Sequence, residues 1–123
     1  MGELGSVKDY SYIVRSNPVP GRDADYNSWY TERHLADVIA VHGFVSAQRF
    51  KIVDPAADGA PEQTYMAIYT MRTDKPEVLL DTLRDLVESG RMEMSDAFSQ
   101  DDCVTILYET ITPVIGGSDA GNP

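Results

Sequence analysis

The run Asp25-Tyr26-Asn27-Ser28-Trp29-Tyr30-Thr31-Glu32-Arg33-His34-Leu35 gathers the only tryptophan, two tyrosines, an arginine and one of two histidines on a short stretch of expected helix. A helix that only fills a core draws on Leu, Ile, Val and Ala for its buried stripe. This one offers hydroxyl, indole, guanidinium and imidazole groups, the set that lines a small-molecule pocket. His34 is the first candidate for chemistry, because an imidazole takes up and returns a proton near neutral pH. Tyr30 and Val38, one helical turn to either side, give it a partly apolar setting. The alternative is a helix-end histidine bonded to a backbone carbonyl or to Asp37.

Tyr26, Trp29, Tyr30 and Arg33 fall on one helical arc, where they could stack on an aromatic ligand while the guanidinium engages a carboxylate or enolate. The competing reading packs Tyr26 and Trp29 into the core and leaves Arg33 in solvent. Arg49, between Gln48 and Phe50 on an expected strand, would stabilise developing negative charge on a substrate oxygen if directed into a cavity. Otherwise it is an exposed arginine on an acidic protein. Tyr12, Tyr65, Tyr69 and Tyr108 carry hydroxyls suited to orienting a phenolic or quinone-like ligand, although tyrosine is equally at home in strands and interfaces. No metal site or cofactor is expected. Two histidines eight residues apart, one cysteine and scattered acids make no ligand cluster, and phosphate-binding, dinucleotide-binding and serine-nucleophile motifs are missing from the sequence.

The elements that must position these groups follow from period and punctuation. Strands are expected over Tyr10–Ser16, Phe44–Val53, Thr64–Arg72 and Cys103–Thr112. A helix should run from Asp23 or Asp25 to about Val41 before Gly43, and a second from Asp74 and Pro76 to Ser89-Gly90 with an apolar stripe of Val78, Leu79, Leu83, Leu86 and Val87. Met92–Asp102 shows no clear period. The order β-α-β-β-α-β predicts an α+β, ferredoxin-like fold with two helices on one face of an antiparallel four-stranded sheet. Tyr10, Tyr12, Tyr65, Tyr69 and Tyr108 are expected to leave the other face rich in tyrosine. A second copy covering that face, sheet to sheet, would enclose a cavity between sheet and partner.

With 123 residues the chain is expected to form one domain over 9–113, with flexible termini at 1–8 and 114–123. A formal net charge of −10 speaks against nucleic acid and anionic membrane as partners. The single Cys103 excludes a disulfide scaffold, and neither a signal segment nor an apolar run of membrane-spanning length is found, so a cytoplasmic protein is expected.

Trp29-Tyr30-Thr31-Glu32-Arg33-His34-Leu35-Ala36-Asp37, then His42-Gly43-Phe44 and Ala47-Gln48-Arg49-Phe50, in this element order, resemble the EthD-like proteins of the dimeric α+β barrel superfamily. The sharpest part is an aromatic pair, three variable residues and a histidine, followed by a Gly-Phe entry into a strand that holds an arginine. The resemblance implies a homodimer with a cavity in each half, and a chemistry drawn from cofactor-independent oxygenation, isomerisation, cyclisation or haem binding. The reading that results is a homodimer that binds a hydrophobic, aromatic or polyketide-like oxygenated metabolite. It would catalyse a cofactor-free proton transfer of isomerase, cyclase or lyase type. The alternatives are a cofactor-free monooxygenase, a non-catalytic accessory protein that carries a metabolite, and a haem binder with His34 as axial ligand.

Overall fold

In the computed structural model, which describes residues 6–118, the strands β1 (Lys8–Ser16), β2 (Phe44–Lys51), β3 (Tyr65–Thr73) and β4 (Val104–Glu109) form one antiparallel sheet in the order β2-β3-β1-β4. The expected ferredoxin-like layout is what the chain adopts. The flexible termini expected at 1–8 and 114–123 lie partly outside the described residues, and within them Lys8 already pairs with Thr73 at the start of β1. No helix among the described residues is long and apolar enough to cross a membrane.

The first helical run has three pieces: α1 (Asp23–Trp29), a π-helical turn over Tyr30–His34, and α2 (Leu35–Ile39). Arg22 occupies the N-cap without a side-chain cap bond; Asp23 and Asp25 instead sit in the first turn, where carboxylates favour the positive end of the helix dipole. The chain leaves α2 through Gly43, whose φ of +108° suits glycine and whose missing Cβ would stand 2.7 Å from a Leu79 methyl. A second helix, α3 (Pro76–Glu88), starts with proline in its first turn, where the absent N–H costs nothing.

Register decides which residues face the helices. Tyr12 lies opposite Tyr69, Tyr10 opposite Met71, Val14 opposite Ala67 and Ser16 opposite Tyr65. Tyr26 packs 5.2 Å from the Tyr65 ring, and the Tyr69 hydroxyl donates to that of Tyr30, so this set is on the helix side. The expectation of a tyrosine-rich open face is therefore corrected: Tyr10, Tyr12, Tyr65 and Tyr69 pack under the helices, and of the five only Tyr108, opposite Ser11, is on the other side. Parity is the reason, because side chains two apart share a face and the β3 set is drawn inward by the aromatic residues of α1. The open side carries Ile13, Ile68 and Met66 along its centre, with exposed Phe50, Val104, Ile106 and Tyr108 toward the edges.

Candidate functional site

A cavity of about 650 Å³ lies between the helix side of the sheet and α3. Its floor is Tyr12 and Val14 of β1, Tyr69 of β3 and Thr105 and Leu107 of β4. One wall is Tyr30, His34 and Val38 of the first helical run. The other is Leu80, Leu83 and Val87 of α3, with Met94 and Phe98 of the connector closing an end. This cavity is formed by one chain on the helix side of the sheet, not on the open face where a hollow against a second copy is expected. Leu80, Leu83 and Val87 are only half-buried because they face the cavity, Leu79 is buried, and the expected Val78 points to solvent.

His34 reaches the cavity from the last residue of the π-helical turn. The wider turn puts Tyr30 and His34 on one side, ring centroids 5.1 Å apart and nearly perpendicular, while Trp29 stacks on the imidazole at 4.6 Å. The ring is 7% exposed, and Nδ1 is buried with no hydrogen-bond partner, so neither a carbonyl nor Asp37 takes it up. Burial pushes the imidazole pKa down to about 4 against the opposing pull of Asp37, and the ring is neutral at physiological pH.

Tyr69 and Tyr30 supply the neighbouring phenols. The 3.4 Å between their hydroxyl oxygens is long for an O–H···O bond, so both groups retain capacity for a further partner. Burial raises both phenol pKa values, keeping both groups protonated. Tyr12, 6.5 Å from the Tyr69 ring, completes the polar edge of the floor.

The remaining expected site residues lie elsewhere. Tyr26 is fully buried and shares a 2.5 Å hydrogen bond with the Ser16 hydroxyl, as its core reading has it. Trp29 backs the imidazole and donates its indole N–H to the Glu93 carbonyl. Arg33 points outward into ion pairs with Glu93 at 2.8 Å and Asp37 at 3.5 Å, as the reading that leaves it in solvent has it, and is not among the residues that line the cavity. Arg49 does not line the cavity with His34. Its guanidinium lies 4.6 Å over the Tyr30 ring, near Tyr26 and Tyr65 as well, and donates to Thr31 Oγ1 and Asn27 Oδ1. It braces the π-helical turn from the side away from the cavity, and Tyr65 belongs to that cluster. Tyr108 is on the open face.

The α3 residues, the connector and Cys103, whose thiol is pushed up by burial, were not among the expected site residues. Only the alternation of β4 and the paired Leu79-Leu80 could have signalled them. Among the described residues no group of three or more His, Cys, Asp or Glu is arranged to hold a metal ion.

No family profile matches the sequence, and a search of curated proteins finds no significant match. Solved structures do match along nearly the whole domain. An EthD family protein of Bacillus halodurans is 18% identical, with 84% of this chain and 99% of that one covered and a TM-score of 0.54. The fold is EthD-like. An inferred antibiotic biosynthesis monooxygenase of Bordetella bronchiseptica gives a TM-score of 0.60 at 15% identity, over 85% of this chain and 99% of its own. The heme-degrader MhuD of Mycobacterium tuberculosis, with two hemes bound in its active site, gives 0.55 at 12% identity, over 85% and 98%. At such identities the likeness is one of fold.

Proposed function

We propose that the protein binds an apolar, ring-bearing, oxygenated metabolite in the cavity between sheet and α3 and moves a proton of that molecule through His34. The observation that carries this reading is the imidazole of His34, held neutral by burial, in the lining of a cavity of about 650 Å³ that also holds two loosely engaged phenols. The neutral ring is in the form that accepts a proton. An isolated imidazolium is disfavoured here, so protonation is favourable only when the substrate gains the matching negative charge, which couples proton transfer to occupancy. Tyr30 and Tyr69 are protonated and donate toward that oxygen as charge develops, while the leucines of α3 exclude water.

The EthD-like fold and the apolar residues of the open sheet face support a homodimer through that face. Its role is assembly; the site's residues all come from one chain.

The heme of the mycobacterial neighbour fits this chain poorly. A neutral imidazole suits iron, but the porphyrin carboxylates would meet a lining whose one cation, Arg84, already bonds Asp81 at 2.7 Å and stands beside Glu88. No step is assigned to it.

Deuterium uptake tests the proposal. The protein should speed exchange of the acidic C–H of an enolisable bicyclic ketone such as 2-tetralone in deuterated buffer, and His34→Ala should lose most of that rate with the fold intact. No acceleration over buffer by the native protein, or an unchanged His34→Ala, rejects it. Oxygen uptake with anthrone would favour the monooxygenase version instead.

A further inference from the structure

The charges around the cavity narrow what can enter it, an inference that rests on the ligand-binding reading above. Among the described residues, the lining contains one cation and one anion, Arg84 and Glu88, both on the outer turns of α3. Arg84 bonds the exposed Asp81, so this rim holds one positive group against two negative ones. The two arginines considered above as ligand groups are held elsewhere. Arg33 is directed outward to Asp37 and Glu93, and Arg49 is behind the Tyr30 ring, where Asn27 and Thr31 hold both of its terminal nitrogens. The other polar groups of the lining are uncharged: the imidazole of His34, the hydroxyls of Tyr12, Tyr30, Tyr69 and Thr105, the amide of Gln100 and the thiol of Cys103, with His34, Tyr30 and Tyr69 the buried ones at its inner end.

We infer that the inner end of the cavity accepts uncharged oxygen groups, such as a phenol, an enol or a ketone carbonyl, and rejects carboxylates. A carboxylate carried to His34 would lose its hydration and meet no cation, the most expensive form of burial a small ligand can undergo. A phenol or carbonyl meets what it needs. The tyrosine hydroxyls donate to its oxygen, and the neutral imidazole that lines the cavity beside them asks for no countercharge. Specificity here arises from the missing countercharge as much as from the contacts made. The net charge of −10 adds to it by lowering the local concentration of anions.

Calorimetric titration with 2-naphthol and with 2-naphthoate, near-matched in ring shape and different in charge, decides the point near neutral pH, where the naphthol is protonated. The naphthol should bind at least about tenfold more tightly, and Leu83→Trp, which fills the cavity, should abolish its binding. Naphthoate binding as tightly as naphthol, or more so, overturns the charge selection while leaving the cavity a ligand site. Failure of both compounds to bind, or naphthol binding unchanged in Leu83→Trp, overturns the cavity reading and the selection with it.

Discussion

Lowering the pH should expose His34 as a source of instability. In the unfolded chain its imidazole has an ordinary pKa of 6.5, and in the fold burial holds it at about 4. Above pH 6.5 both states are neutral at this position and it adds no pH dependence. As the pH falls below that, the unfolded state takes a proton that the folded state refuses, and stability is lost until the pH reaches about 4. Integrating between those two values puts the loss at about 2 kcal/mol by pH 5 and roughly 3 kcal/mol at the lower limit. His34→Leu removes the titration. Because the 20 acidic residues also titrate at the low end, the informative quantity is the difference between the two proteins, not either profile alone. Urea unfolding followed by circular dichroism from about pH 7 to about pH 5 stays above the sequence pI of 4.4 and measures it. The native protein should lose about 2 kcal/mol more than His34→Leu over that range. Parallel profiles would show the imidazole to be hydrated in the folded state, and the case for a dry proton acceptor would fail.

Tyr26→Phe removes the partner of the buried Ser16 hydroxyl and should cost about 1–3 kcal/mol in the same unfolding assay. Gly43→Ala forces a side chain onto a φ of +108° and against Leu79, so a loss of about 1–3 kcal/mol is expected, seen as a lower melting temperature. Ile68→Glu places a charge at the centre of the open sheet face between Ile13 and Gln48, and light scattering should find a monomer that still binds naphthol.

The order of elements was legible because the alternation of β3 and the proline and glycine stops leave little choice. The side on which the tyrosines sit was not. Alternation divides β1 and β3 into two sets of residues without saying which set meets the helices, and that choice rests on the contact of Tyr26 and Tyr30 with Tyr65 and Tyr69. His34 was singled out by type and setting, and the structure sets it in a cavity. The place of Arg49 was not legible, because a guanidinium lying over a tyrosine ring and bonded to an uncharged amide and hydroxyl leaves no periodic signal in the sequence. The connector 92–102 has no period to read. Its position is fixed by contacts distant in sequence, such as the bond from the Val19 N–H to the Ala97 carbonyl.

Because consecutive residues of a pleated strand look in opposite directions, Tyr12 and Ile13, or Tyr69 and Ile68, belong to separate jobs while sitting side by side in the chain. Odd and even positions of one strand can thus drift independently. In the proposed homodimer, a lineage could change how its subunits associate without retuning the chamber, or admit a new molecule without rebuilding the assembly, and a single-residue slip of register would exchange the two faces at once.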